Sequence, residues 1–459
     1  MSSLGTDAQA VRVAIIGSGP TGFFATDALL KSGKNVVVDV FERLASPFGL
    51  VRLGVAPDHA KIKTITKTFE KIMNDNPTRV SFMGNVTVGR DITVDELFRF
   101  YDAVLFSSGA ESDRRLGIPG EDLAGSHTAT AFVAWYNGHP DARDLQFDLS
   151  RERAFVVGQG NVAMDVARIL AKSPDELMKT DIASHALDVL AESKIKEIHV
   201  IGRRGPAQVK FTPPEVRELG ELHTCHVVVD ESALALDAAS QTERETGPES
   251  IRKILEILSG FSTSAARDGV SKKLFLRFLE SPTALTGDGR LQSITLEKNR
   301  LTGEPMKLQA EGTGTFVTEP CDILFRSVGY KGRPLPGVPF DEKKGVIPNV
   351  QGRVNDGAPR VGLYTAGWIK RGPSGVIGTN KPDALETVTM LLEDLSTLRA
   401  APERDSQAVT AHLAAKGVRV ISWSDWKQID AAEIARGAEK GKPREKITRL
   451  DEALAVLGR

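Results

Sequence analysis

At 459 residues the chain is too long for one hydrophobic core, so two or three domains are expected. Hydrophobic residues make up 41% and charged residues 26%; 59 Lys plus Arg against 60 Asp plus Glu leave a net charge of −1. That balance argues against general binding of nucleic acid or anionic membrane, and two distant cysteines, Cys225 and Cys321, exclude an intrachain disulfide framework, a CxxC pair or a cysteine-ligated cluster.

The N-terminal stretch MSSLGTDAQAVRVAIIG has no charged start followed by a secretory apolar core, and its apolar run is too short to span a bilayer. A cytoplasmic protein is expected. Along the chain, short β-branched runs alternate with helical patterns: VRVAIIG, NVVVDVFE, YDAVLFSSGA, RAFVVGQG, KEIHVIGRR, CDILFRSVGY and VGLYTAGW. This alternation predicts an α/β fold with parallel sheet. The stretch from about Gly260 to Phe316, with KLFLRFLE, LQSITLEKN and GTFVTE, is expected to be antiparallel, with TGDGR as a turn. After Pro402 the chain becomes helical and charged, around ISWSDWKQID, with no chemical signature.

The first run ends in GSGPTG. Gly17, Gly19 and Gly22 give G-x-G-x-x-G between a strand and a helix. In that motif the first glycine makes the turn, the second admits a pyrophosphate to the backbone, and the third lets helix and strand pack closely. A second strand follows and puts Glu42 20 residues after Gly22, where an acid binds a ribose hydroxyl. A second unit begins at GQGNVA: Gly158, Gly160 and Ala163 give G-x-G-x-x-A. Its next strand, delayed by an insertion between about Lys172 and Lys194, ends in Arg203 and Arg204 instead of an acid. Paired guanidiniums suit a ribose 2′-phosphate. The first site therefore suits FAD or NAD and the second NADP, and together they describe a flavoprotein that takes reducing equivalents from NADPH.

Other residues speak less clearly. Thr212 and Glu215 in TPPEVRELGEL are spaced as a capping box, with Pro213 at the first helical position. Helix capping explains Glu215 as well as ligand contact does. HTCH, with His223, Cys225 and His226, reads as alternating strand residues without a metal cluster, so no metal ligand is assigned. His59 stands in the loop stretch GVAPDHAKIK, and GWIKRGPSGVIGTN offers close backbone approach and the flat ring of Trp368.

Six stretches carry a resemblance: GSGPTG, SPFGLVRLGVAPDHAKIK, SSGAESDRRLGIPGEDLAGS, GQGNVAMDVARIL, IGRRGPAQVKFTPPE and TAGWIKRGPSGVIGTN. From about Val11 to the mid-390s the chain resembles the adrenodoxin reductase family of NADPH–ferredoxin reductases, in its bacterial branch, with a glutathione-reductase-like fold. The resemblance implies two Rossmann-like dinucleotide-binding domains, the NADP domain inserted into the FAD domain. The expected boundaries are 1–109 and 322–459 for FAD, and 110–321 for NADP. It implies that Ser18, Glu42, Leu50, Val86, Trp368, Gly375, Val376 and Ile377 contact FAD. It assigns Arg114, Gln159, Gly160, Asn161, Val162, Arg203, Arg204, Glu215 and Gly375 to NADP. His59 and Asp165, and more weakly Glu218, match polar residues beside the flavin that relay protons.

The implied reaction is hydride transfer from NADPH C4 to flavin N5, then two single-electron transfers to a ferredoxin-type iron–sulfur protein. Docking is expected on a basic surface near Arg252 and Lys253 of SIRKILEIL, on a monomer that binds neither nucleic acid nor membrane. Rival readings fare worse. A disulfide reductase needs a cysteine pair, and a glutamate-synthase small subunit begins with a cysteine-rich iron–sulfur region. A flavin hydroxylase lacks a whole second dinucleotide unit, and a non-catalytic NADP sensor leaves the two specificities unexplained. A diaphorase remains the nearest alternative. The wider class ends its last flavin strand in Gly-Asp; here the pair is Gly367-Trp368, as in the adrenodoxin reductase family.

Overall fold

The computed structural model describes residues 4–265 and 268–458. The β-branched runs form two separate parallel sheets. The first is seven-stranded, in the order Asn349–Val350, Arg353–Asn355, Pro359–Thr365, Ala103–Phe106, Val11–Ile16, Val36–Phe41, Val80–Met83. The last five strands of that order run parallel. Val11–Ile16 is buried at every position, as a central parallel strand covered on both faces requires. This sheet draws its strands from both ends of the chain.

The second sheet is six-stranded, in the order Ser126–Thr128, Ile323–Arg326, Arg153–Val157, Glu197–Ile201, Lys272–Arg277, Cys225–Val229, every pairing parallel. It comes wholly from the middle of the chain and has its own core, including Val156, Met164, Ile198 and Leu274. Two strands correct the sequence reading. KLFLRFLE is not antiparallel: Lys272–Arg277 lies between Glu197–Ile201 and Cys225–Val229, parallel to both. Its buried residues, Leu274 and Leu276, alternate with part-exposed ones, a pattern shared by parallel and antiparallel strands, so local periodicity does not carry the direction of pairing. Ile323–Arg326 also pairs inside this sheet, two residues beyond Cys321, so the central unit extends past the boundary expected there.

The antiparallel expectation holds for the segment that follows. Glu280–Thr286, Ser293–Thr302 and Gln309–Pro320 form a three-stranded antiparallel sheet, with TGDGR turning between the first two. The chain crosses between the two large sheets through a two-stranded ribbon, Ser112–Asp113 with Tyr330–Lys331. The insertion after Lys172 forms the helices Pro174–Met178 and Ser184–Ala191. The charged C-terminal stretch forms the helix Trp423–Glu439, which packs onto the first core: Glu433 is fully buried against Arg52, 2.5 Å away, and Arg52 lies 4.9 Å over the Trp426 ring. Among the described residues no helix is long and apolar enough to cross a membrane.

Candidate functional site

Both glycine turns sit at the carboxyl ends of central strands, where open α/β sheets bind ligands. At the first, Gly17 has φ +108, and a Cβ there would lie 2.6 Å from the Ser107 carbonyl oxygen. A Cβ on Gly22 would lie 2.2 Å from the Gly17 carbonyl oxygen, so the helix Pro20–Leu30 packs on its strand only with glycine there. Gly19 is different. Its backbone is extended and a Cβ would meet nothing within 4 Å, which leaves an open approach to the helix N-terminus. A dinucleotide phosphate needs that opening.

Glu42 lies just beyond the strand Val36–Phe41, held by the Ser18 hydroxyl at 2.7 Å, the Ser18 N–H at 3.2 Å and the Leu44 N–H at 3.1 Å. Burial pushes its carboxyl above the ordinary range against those three donors. Two further loops close on the same turn. The Phe48 N–H donates to the Ser18 carbonyl, and the following Leu50 is 41% exposed. Gly367 lies against Thr21, its N–H donating to Asp383, and the Trp368 indole N–H donates to the Ser374 carbonyl. Val376, in the same loop, is 59% exposed, while Ile377 is half-buried and Val86 is buried. Exposed apolar side chains and a flat ring around an acid-lined phosphate turn fit a flavin dinucleotide.

The second turn repeats the design. Gly158 has φ +135 and its Cβ would lie 2.1 Å from the Ser327 carbonyl oxygen, whereas Gly160 again has nothing within 4 Å. The Asn161 side-chain oxygen accepts from the Thr212 N–H at 2.9 Å, and the Gln159 carbonyl accepts from Lys210 and Phe211 N–H groups. The TPPE loop is thereby folded onto the turn, beside Val162. Arg203 is exposed and Arg204 half-buried at the end of Glu197–Ile201. Neither guanidinium makes a salt bridge or hydrogen bond among the described residues. Burial and the adjacent Arg203 push Arg204 below its ordinary range. Two unpaired cations held side by side fit a dianionic phosphate. Arg114, also expected at the nucleotide, is exposed at the crossing ribbon, its N–H bonded to the Gly329 carbonyl at 2.9 Å.

The expected capping box does not form: Thr212 is the N-cap of Pro213–Leu219, but its side chain makes no capping bond. Glu215 is drawn away by charge. Its carboxylate lies 3.4 Å from Arg168 and 3.8 Å from His59 Nε2. His59 Nε2 is 2.7 Å from Glu218, and Nδ1 is 3.8 Å from Asp165. Arg168, with 2% of its side chain exposed, ties the group together through Asp165 at 2.7 Å and Asp58 at 2.6 Å; Lys172 also reaches Asp58 at 2.7 Å. The three expected proton-handling residues thus meet at the junction of the two large units. Asp58, Arg168 and Lys172 were missed by sequence reasoning. The spacing of Asp165, Arg168 and Lys172 on one helical face was the available signal.

The ligand atoms of His59, Glu215 and Glu218 lie within 4.8 Å of one another, a cation-sized grouping, but Arg168 already supplies positive charge beside both carboxylates. Burial and the Asp165 carboxylate push Glu215 up to about 7. Burial also raises Asp165, whereas at Asp58 the paired Arg168 and Lys172 overcome burial and hold the carboxyl well below its usual range. A raised carboxyl pKa stabilises the fold below its unfolded value, ordinarily 4.5, and that contribution is lost as pH rises through about 7. Glu215→Gln should therefore gain about 1–3 °C in Tm relative to the unsubstituted protein on going from pH 5 to pH 8. Thermal unfolding at both pH values checks this, and a constant difference would contradict it.

Residues 11–218 match the pyridine nucleotide-disulphide oxidoreductase family. Over 456 residues the chain is 44% identical to NADPH-ferredoxin reductase FprA of Mycobacterium tuberculosis, with 97% of this chain and 98% of that one covered. It is 44% identical over 467 residues to the mitochondrial NADPH:adrenodoxin oxidoreductase of Homo sapiens, covering 99% and 93%. A solved structure of Mycobacterium tuberculosis FprA in complex with NADPH matches with a TM-score of 0.92 at 43% identity, covering 98% of this chain and 99% of that one. These full-length likenesses, which the two glycine turns fit, give one conclusion: the chain belongs to the family of NADPH–ferredoxin and NADPH:adrenodoxin oxidoreductases.

Proposed function

We propose that the chain passes electrons from NADPH through FAD to a ferredoxin-type iron–sulfur protein. The observation that carries this reading is the pair of phosphate turns with opposite partners, an acid at one and two arginines at the other. When bound, FAD supplies the conversion of a two-electron donor into single-electron steps. The protein's own residues do the rest. The turn at Gly17–Gly19 holds the flavin diphosphate on a helix N-terminus, and Glu42, oriented by Ser18, accepts the ribose hydroxyls. Leu50, Val376 and Trp368 cover apolar ring surface and exclude water. The turn at Gly158–Gly160 holds the NADP diphosphate, and Arg203 and Arg204 hold its 2′-phosphate.

Proton handling falls to the junction cluster. Glu215, near neutrality, holds or releases a proton at pH 7; His59 Nε2 lies between it and Glu218, whose side chain is 38% exposed and opens the route to solvent. The division into domains follows the two sheets, with a central NADP unit of about 112–331 joined to the FAD unit by the two-stranded ribbon. Docking of the acidic acceptor on Glu249–Ser262 is supported by the exposure of Arg252 and Lys253, though Lys253 shares its charge with Glu249 at 3.0 Å.

A visible spectrum of the purified protein tests the reading. The expected result is yellow protein that NADPH bleaches anaerobically and NADH bleaches poorly. A protein that stays colourless after incubation with FAD would overturn it. With ferredoxin as acceptor, reversing the charges of Arg252 and Lys253 should raise the KM for ferredoxin several-fold and leave ferricyanide reduction unchanged. An unchanged KM removes that docking surface.

A further inference from the structure

The loop that carries Arg203 and Arg204 makes no ladder of its own, yet each of its carbonyls is held by the antiparallel sheet beside it. The Gly202 carbonyl accepts from the Glu280 N–H at 3.0 Å, and the Arg204 carbonyl accepts from the Leu279 N–H at 3.0 Å. Between them, the Arg203 carbonyl accepts from the side-chain amide of Asn299 at 2.9 Å. The second amide hydrogen of Asn299 is directed to the Ser281 hydroxyl oxygen at 2.8 Å, and its backbone N–H donates to the Leu279 carbonyl at 2.8 Å. Asn299 is 8% exposed and sits where the register of its strand shifts, between Glu297 and Asn299. The residues inserted at that shift lie on the partner strand, between Gly312 and Phe316, while Asn299 stays bonded through its backbone to Leu279.

Leu279 completes the arrangement. It has φ 55, a left-handed conformation that a branched, bulky residue adopts only when its surroundings impose it. In that conformation its N–H faces Arg204 and its carbonyl faces Asn299, so it links both anchors.

We propose that Asn299 is a positioning residue for nucleotide selection: with the Leu279 turn, it fixes the backbone from which Arg203 and Arg204 reach the 2′-phosphate. This rests on the assignment of that phosphate to the two arginines. Asn299 itself touches no nucleotide. Its contribution is to pre-organise two guanidiniums that would otherwise repel each other and spread apart, so that their ordering is complete before the ligand arrives. The three-stranded sheet is then a support for specificity as well as a cover for the domain.

The test uses the full flavoprotein and calorimetric binding of adenosine 2′,5′-bisphosphate against 5′-AMP, which reads the phosphate subsite without turnover. Asn299→Asp keeps the shape and removes both donors; Asn299→Ala removes the group; Ser281→Ala leaves the fold least disturbed and frees the amide of its second partner. Asn299→Asp and Asn299→Ala should weaken the bisphosphate roughly tenfold and change 5′-AMP less than twofold, with Ser281→Ala between these variants and the unsubstituted protein. On an Arg203→Ala, Arg204→Ala background the Asn299→Ala change should add nothing, because the groups it positions are gone. Equal weakening of both ligands, no weakening of either, or an undiminished loss on the arginine-free background would overturn the proposal. Failure of the arginine pair is separate and visible: Arg203→Ala, Arg204→Ala would itself weaken both ligands alike.

Discussion

Replacing both Arg203 and Arg204 with alanine is expected to raise the KM for NADPH about 30- to 150-fold and to move that for NADH less than about threefold. The size follows from the chemistry of the contact. Hydrogen bonds between charged groups are worth about 1.5–3 kcal/mol each. Arg203 is exposed and Arg204 half-buried, so solvent reduces the pair to a combined value of about 2–3 kcal/mol, and each 1.4 kcal/mol is about tenfold. The direction follows from the state of the pair. Two adjacent cations without salt bridges among the described residues repel each other, and a phosphate relieves the repulsion, whereas the bare ribose of NADH does not. Steady-state kinetics with the two nucleotides decide the matter. Equal losses would show that the arginines hold the loop rather than the phosphate.

The second large effect separates the two dinucleotide turns. Gly19 and Gly160 both have extended backbones that a β-branched residue adopts without strain, and a Cβ at either meets nothing within 4 Å. Gly19→Val and Gly160→Val should therefore fold, because the added methyl groups point into open space rather than into the protein. That space is where a diphosphate approaches the helix N-terminus. Gly19→Val is expected to purify colourless with less than about a tenth of the flavin, and Gly160→Val to purify yellow and resist bleaching by NADPH. Losing a close phosphate approach costs at least the two or so charge-assisted bonds made there, about 3 kcal/mol, or more than about 100-fold in affinity. A yellow Gly19→Val protein would mean that the first turn does not carry the flavin diphosphate. Gly22→Ala is a poor substitute, since its Cβ would lie 2.2 Å from the Gly17 carbonyl oxygen and disturb the fold itself.

The same glycines explain how much was legible in the sequence. The two turns, the acid at position 42 and the arginine pair are local features: each belongs to a strand, a turn, a helix and a second strand within about thirty to fifty residues, and the backbone geometry of the turns allows few residue types. The fold class and the cofactor pair are therefore readable from the order of residues alone. The interruption of one parallel unit by another was implied by the resemblance alone, since no local pattern states that residues near 15 and near 364 share a sheet.

Other features depend on contacts between segments far apart in the chain. KLFLRFLE had a strand's periodicity, but whether it runs parallel depends on which neighbours it pairs with, here Glu197–Ile201 and Cys225–Val229. Glu215 had the spacing of a cap, but in the tertiary structure the Thr212 N–H donates to the Asn161 side chain and Arg168 lies 3.4 Å from the Glu215 carboxylate. His59 was a loop histidine by sequence; the tertiary structure brings it to Asp165, Glu215 and Glu218 across the junction of the two units. Asn299 carried no signal, because its amide acts on a carbonyl 96 residues away. What the sequence by itself determined is the pair of glycine turns and the charges set beside them, for these are written in short-range sterics. What only the tertiary structure decided is that His59, Asp165, Glu215 and Glu218 come together and that Asn299 meets the Arg203 carbonyl, because burial and pairing of polar groups depend on which distant segments exclude water together.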